Sequence, residues 1–253
     1  MIETAQAFGI DIGGSGIKGA PVDLTTGTFA AERLRIPTPQ PATPEAVADT
    51  VKEILDSFEV EDGTPIGVAF PAPVKPGQPL GYMSNLDQSW VGVNIDELIS
   101  DRCCRKVHVL NDADAAGLAE AVFGAAKGIK GLVVTTTLGT GIGTAIINDG
   151  VLIPNSELGH ILIEDKGDAE KYCADSIRTK EELNWKKWGK RLTKYYKLLE
   201  FYLSPDVFVV GGGVSKKHEK FFPFIDIETP IVPADLLNTA GIVGAAQFAA
   251  MQK

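Results

Sequence analysis

The sequence predicts an α/β protein built as a duplicated pair of lobes with a cleft between them. Two observations carry this. A strand–glycine turn–strand unit occurs twice, turning at Gly13 and again at Gly139, as an internal duplication with one unit per lobe would give. Short apolar runs of strand type also alternate with stretches of helical periodicity. No low-complexity linker divides the 253 residues. The lobes are predicted as 1–112 plus about 240–253, the smaller N-terminal one, and 113–239, the larger C-terminal one. They are expected to meet near residue 112, with the final helix crossing back to the first lobe.

The elements follow in order. Ala7 to Ile12 reads as a strand, Gly13 to Gly16 as a turn and Ile17 to Val22 as the return strand. Thr25 to Thr28 marks another turn, and Phe29 to Ile36 reads as a third strand. After a proline-rich extended segment, Thr43-Pro44 reads as an N-cap with proline at the first helical position. Val47, Val51, Ile54, Leu55 and Phe58 then lie on one helical face. Ile66 to Phe70 and Val107 to Leu110 read as buried strands, the second closed by Asn111-Asp112 ahead of a helix. Leu132 to Leu138 and Thr144 to Ile147 flank the second glycine turn, and Asn148-Asp149-Gly150 signals a tight hairpin. A long helix near Asn184 to Leu203, a strand from Val207 to Val210 and a helix from Ala240 to Met251 complete the chain.

The bulk composition excludes several classes. A net charge of −9 and a pI near 4.9 disfavour nucleic acid and anionic membranes as partners. Cys103, Cys104 and Cys173 form neither a CxxC pair nor a disulfide framework, which fits a reducing cytoplasm. No signal peptide and no run of 18 apolar residues is seen, so no membrane span is expected.

Gly14-x-Gly16-x-x-Gly19 matches the dinucleotide fingerprint in letters, but that site needs a helix directly after the turn. Here a strand follows, and no GxxxxGK[ST] motif occurs. A glycine hairpin can still hold phosphate, because converging backbone N–H groups form an anion nest. Ser15, Lys18 and Thr140 add donors. Asp11 would repel phosphate directly and makes sense as a holder of Mg²⁺, directly or through water. The alternative is that these are plain tight turns; two equivalent hairpins and a third glycine cluster at Gly211-Gly212-Gly213 favour phosphate.

Asp112 has two readings. It can cap the following helix, a role Asp114 could share, or serve as general base toward an attacking hydroxyl. Glu157 and His160 suit sugar hydroxyls, or form an ordinary satisfied polar pair. From Trp185 to Lys197 the sequence holds Lys186, Lys187, Lys190, Arg191, Lys194 and Lys197 and no acid. This is either a solvated helix face or a track for a polyanion, on which Lys186, Lys190 and Lys194 align and which Lys216, Lys217 and Lys220 could extend.

Together the segments IDIGGSGIKG, LNDADAAGLAE, TLGTGIGTA, SELGH and VVGGGVSKK resemble the ROK (repressor, ORF, kinase) family of sugar kinases. TPQPATPEAVA and TPIVPADLLNTAGIVGAA are similar to its polyphosphate- and ATP-dependent glucokinase and glucomannokinase branch. The resemblance implies the actin-like ATPase (ribonuclease H-like) fold and Mg²⁺-dependent phosphoryl transfer to the 6-hydroxyl of glucose or mannose. It implies Asp112 as catalytic base and Asn85, Asn111, Asp112, Glu157, His160 and Glu170 as sugar contacts. It assigns the donor to Asp11, Gly13, Gly14, Ser15, Gly16 and Lys18, to Thr137, Gly139, Thr140 and Gly141, and to Gly212, Gly213 and Lys216. Most such kinases carry a cysteine-rich zinc cluster between the positions of His160 and Glu170. Residues 161–169 hold no cysteine, so no zinc is predicted. Repressor members carry an N-terminal DNA-binding segment, for which a first strand near Ala7 leaves no room. A homodimer is compatible with this reading. The alternatives are a non-catalytic sugar sensor and a polyphosphate hydrolase on the same fold.

Overall fold

The computed structural model describes residues 6–81 and 87–252. The chain forms two compact units, Met1–Ala115 with Thr239–Lys253, and Ala116–Asn238.

In the first unit β1 (Gln6–Gly13) and β2 (Gly16–Asp23) form the predicted hairpin. The expected strand from Phe29 to Ile36 is instead two short ones, β3 (Thr28–Phe29) and β4 (Leu34–Ile36). Residues 30–33 between them are exposed and offer no apolar face to bury. Helix α1 (Pro44–Ser57) follows, capped by the Thr43 side chain, which accepts from the Ala46 N–H. Strand β5 (Ile66–Phe70), helix α2 (Ile95–Cys103) and strand β6 (Val107–Asn111) complete the run. The sheet order is β3-β2-β1-β5-β6, with β4 also on β2. Strands β1, β5 and β6 are parallel, so their carboxyl ends share one edge.

One face of this sheet packs on α1 and α2. Val47, Val51 and Ile54 of α1 and Ile95 and Ile99 of α2 are fully buried against Phe8, Ile10, Ile12 and Ile17. Each such side chain contributes about 1.5–3 kcal/mol by leaving water. The Trp90 indole N–H donates to the Ala42 carbonyl at 2.8 Å and ties in the loop before α1.

Helix α3 (Asp112–Phe123) carries the chain into the second unit. There β7 (Leu132–Leu138), β8 (Ile142–Asn148) and β9 (Val151–Ile153) form a meander. Asp149 and Gly150, both at positive φ, turn β8 into β9 as the Asn-Asp-Gly signal predicts. A small hairpin of β10 (Leu162–Ile163) and β11 (Gly167–Asp168) leads into α4 (Ala169–Cys173) and α5 (Asp175–Lys180). Helix α6 (Trp185–Leu203) precedes β12 (Val207–Gly211) and β13 (Ile231–Pro233). The sheet order is β13-β12-β7-β8-β9, with β12 parallel to both β7 and β13. This repeats the order of five strands of the first sheet, with no counterpart to β4. Trp188, Leu192, Tyr195, Tyr196 and Leu199 of α6 are fully buried on one face of it.

Helix α7 (Ala240–Met251) belongs to the first unit and crosses the sheet face opposite α1. It approaches backbone to backbone. A Cβ on Gly9 would stand 1.9 Å from the Ile242 carbonyl oxygen, one on Gly67 1.8 Å from that of Ala245, and one on Gly244 1.8 Å from that of Ala115. No rotamer change relieves a clash with backbone. Gly67→Ala and Gly244→Ala should each cost at least the roughly 1–3 kcal/mol of an overpacked core, read as a lowered denaturation midpoint; a midpoint equal to the parent's would show that α7 can shift outward freely.

Candidate functional site

In the first unit, the carboxyl edge of the parallel strands gathers the predicted groups. Open sheets of this kind bind ligands at that edge. Asp11 lies near the end of β1 and Asp112 directly follows β6, two strand spacings away, roughly 10 Å. Asp112 is exposed. The helix cap expected of Asp112 is chiefly the work of its neighbour. The Asn111 side-chain oxygen accepts from the N–H groups of Ala113 (2.9 Å) and Asp114 (3.1 Å), while Asp112 accepts from the N–H of Ala113 at 2.7 Å. Asn111 is buried, and with its oxygen spent on α3 only its amide N–H remains for a ligand.

The Gly13–Gly16 turn is braced by Arg35 and Thr38. Thr38, which is buried, donates its hydroxyl to the Gly13 carbonyl, and Arg35 donates to the Ser15 carbonyl at 2.6 Å. Gly14 and Ser15 are exposed. Lys18 pairs with Asp11, Nζ to Oδ2 3.0 Å. Asp11 therefore serves first as the counter-charge of Lys18, with its second oxygen turned to no described side chain. That single oxygen fits Mg²⁺, which keeps several waters and takes one or two carboxylates plus donor phosphates. Gly241, at the start of α7, leaves room beside it: a Cβ there would stand 3.4 Å from the Asp11 carboxyl carbon. Among the described residues no cluster of three or more His, Cys, Asp or Glu is set to hold a metal.

In the second unit, Thr137, Gly139, Thr140 and Gly141 lie at the carboxyl end of β7, beside Gly211, which pairs with Thr137. Gly212 has a φ of +81°, and a Cβ there would stand 2.2 Å from the Leu138 carbonyl oxygen, so only glycine lets the third cluster close on the turn. Gly213 and Lys216 are exposed just beyond. Ser176 at α5 closes the turn from the other side, its N–H on the Gly139 carbonyl (3.0 Å) and its hydroxyl on that of Thr140 (2.6 Å).

Glu157, His160 and Glu170 come together next to this turn. Glu170 accepts the Ile142 N–H at 2.9 Å, leaving its other oxygen for a ligand. His160 faces Glu157 across 3.9 Å through Nε2, and its Nδ1 lies 3.0 Å from Asp168. Asp168 also caps α4, accepting from the N–H groups of Glu170 and Lys171. One carboxylate thus fixes both the imidazole and the helix that carries Glu170. The hydrogen bond to Asp168, reinforced by the charges of Glu170, Asp168 and Glu157, holds the His160 pKa above its ordinary value. Burial pushes Glu157 up, helped by the nearby Glu170 charge. Burial alone would raise Asp168 too, but the bonds from His160 and from the backbone of Lys171 and Glu170 bring it below the usual range.

Asn85 falls outside the described residues. Arg35, Thr38, Asp168 and Ser176 were not singled out in the sequence, because each acts on a partner 8 to 37 positions away. On α6, Lys186, Lys190 and Lys194 are exposed and spaced four apart, a row of about 12 Å. Among the described residues they form no ion pair, whereas Arg191 pairs with Glu181 and Lys197 with Asp226. At the head of the row the half-buried Trp185 lies between the Arg178 guanidinium, 4.3 Å from its ring centre, and the Lys220 ammonium at 6.0 Å. Among the described residues no helix is long and apolar enough to cross a membrane.

The duplicated sheet order and the paired glycine turns define an actin-like ATPase fold, and the chain belongs to the ROK family, whose profile matches residues 7–177. It is 48% identical over 242 residues to a polyphosphate glucokinase of Mycobacterium tuberculosis (strain CDC 1551 / Oshkosh), spanning 95% of this chain and 90% of that one. The crystal structure of the inorganic polyphosphate/ATP-glucomannokinase from Arthrobacter sp. strain KM superposes with a TM-score of 0.91 at 48% identity, covering 98% of this chain and 100% of the other. A ROK family glucokinase from Streptomyces griseus, in complex with glucose and AMPPNP, shares the fold at 23% identity and a TM-score of 0.81, over 97% and 99% of the two chains.

The His160–Asp168 pair is directly testable, since the chain has three histidines to resolve by NMR. In the parent His160 should titrate above the ordinary histidine range, and Asp168→Asn should bring it down. The sign for stability follows: with the folded pKa raised, the pair's stabilisation is complete below the unfolded pKa of about 6.5 and disappears as pH climbs through the raised value. A His160 titration unchanged by Asp168→Asn would remove the pairing.

Proposed function

We propose that this chain is a hexose kinase that transfers a phosphoryl group from inorganic polyphosphate or ATP to the 6-hydroxyl of glucose, with mannose as a second acceptor. The observation that carries the reading is the exposed Asp112 carboxylate at the same sheet edge as the Gly13–Gly16 turn. Two relatives at 48% identity, a polyphosphate glucokinase and an inorganic polyphosphate/ATP-glucomannokinase, support it.

Phosphoryl transfer asks mainly for positioning and charge neutralisation. Asp112 takes the proton of the sugar hydroxyl as that oxygen bonds to the terminal phosphorus. The bond from this phosphorus to its bridging oxygen breaks, and ADP or a polyphosphate one unit shorter leaves. Backbone N–H groups of Gly13–Gly16 and of Gly139–Gly141 receive donor oxygens, with Ser15, Lys18, Thr137 and Thr140 beside them. Gly212, Gly213 and Lys216 receive the donor's far side. The Asn111 amide, Glu157, His160, Glu170 and Asn85 are assigned to the sugar hydroxyls. Asp11 is the residue that would hold Mg²⁺, directly or through water, and the ion would supply neutralisation of phosphate charge there. The reading includes no zinc, because residues 161–169 between His160 and Glu170 hold no cysteine. The reading takes the enzyme as cytoplasmic, with a homodimer as its candidate assembly.

The row Lys186, Lys190 and Lys194 is proposed as the track for a long polyphosphate. Its lack of ion pairs among the described residues, in a chain of net charge −9, supports this, and aligned cations gain by releasing the polymer's counterions.

The decisive assay crosses polyphosphate and ATP with glucose, mannose and no sugar, measuring sugar 6-phosphate and free phosphate. Sugar 6-phosphate is expected; phosphate release independent of sugar would mark a hydrolase, and no turnover a sensor. Asp112→Asn should keep sugar binding by calorimetry and lower kcat by about 10²–10⁴-fold; near-normal turnover would refute its role. Replacing Lys186, Lys190 and Lys194 together by Gln should raise KM for polyphosphate several-fold and leave that for ATP nearly unchanged, and equal changes for both donors would remove the track.

A further inference from the structure

The register sets Asp11 opposite Lys18 on β1 and β2, and Lys18 opposite Arg35 on β2 and β4. Residues directly opposite share a face of the sheet. Asp11, Lys18 and Arg35 therefore form one row across three strands, with charges minus, plus, plus. Asp11 answers Lys18. Arg35 is exposed and enters no ion pair among the described residues. Like charges set directly opposite each other repel, so the sheet holds a surplus positive charge beside the Gly13–Gly16 turn.

The guanidinium lies against the turn itself. Its Nη2 reaches the Ser15 carbonyl at 2.6 Å, and a Cβ on Gly16 would stand 2.6 Å from its Nε. The missing side chain at residue 16 is what admits it. One of its five N–H donors is spent on Ser15, and the others meet no acceptor among the described residues.

We propose that Arg35 is a phosphate-donor contact, whose guanidinium binds phosphoryl oxygens at the β1–β2 turn beside Lys18. This rests on the kinase reading above and adds a residue to it. An arginine fork matches a phosphoryl group with two parallel hydrogen bonds, where a lysine presents a point charge. An anion in the turn also cancels the surplus charge and screens Lys18 from Arg35. The same contact serves polyphosphate and ATP, because both present phosphoryl oxygens there.

The test is calorimetric titration of the parent, Arg35→Gln and Arg35→Lys with tripolyphosphate at low and moderate salt, and separately with glucose. Arg35→Gln should weaken tripolyphosphate binding about tenfold, flatten its salt dependence and leave glucose affinity unchanged, with Arg35→Lys in between. A residue that only braced the turn would not move the salt dependence. Tripolyphosphate affinity and salt dependence in Arg35→Gln equal to the parent's would overturn the proposal, as would absence of binding by the parent. Should Arg35→Gln fail to fold, Arg35→Lys decides, with full parental affinity as the overturning result. If tripolyphosphate binds through Arg35 while no donor phosphorylates any hexose, the kinase reading fails and the donor contact stands.

Discussion

The packing of helix α7 on strands β1 and β5 is made by backbone, and much of the first unit depends on it. Gly9 and Gly67 carry no Cβ, so the helix settles directly onto the sheet, and Gly244 lets it meet the start of α3 at Ala115 just as closely. The contact gains dispersion across many atoms at once, and it has little tolerance for any added atom. It covers one face of three parallel strands whose other face is covered by α1 and α2, which is why β5 is buried at every position. It also delivers the start of α7 to Asp11. The segment that ends the chain thereby shapes the surroundings of a carboxylate near its beginning.

The two glycine turns share a topology but not a chemistry. The turn in the first unit is braced by Arg35 and Thr38 and flanked by the Asp11–Lys18 pair. The turn in the second is braced by Ser176 and by the Glu170 carboxylate on the Ile142 N–H. The same strand order occurs twice, and the braces include a positive charge in one copy and a negative one in the other. A cationic brace suits phosphoryl oxygens. A carboxylate with one oxygen already committed presents the other in a fixed direction, which suits a hydroxyl that must be oriented.

Most strands and the long helices were legible in the sequence, because apolar period and turn residues mark them locally. The hairpin at Asp149-Gly150, the cap at Thr43 and the span of α7 all follow from such signals. The cap on α3 is made chiefly by Asn111 rather than Asp112, which the sequence does not separate because both are good capping types. The short strands β3 and β4 were merged because their connection has no distinctive turn residue. Arg35 and Asp168 remained hidden for a different reason. Arg35 matters through a register three strands deep, and Asp168 through a hairpin that brings it back eight positions to His160. Neither arrangement has a periodic trace in the sequence.

The surroundings of Trp185 have one more consequence. The chain has three tryptophans, and Trp90 and Trp188 are fully buried, one in each unit. Trp185 alone is half-buried, with a guanidinium on its ring and an ammonium nearby, at the first residue of the lysine-bearing helix. Cations near an indole shift and quench its emission, and an anion that draws them away reverses the effect. The protein thus carries an indole at the head of the basic row whose emission would change when an anion binds there.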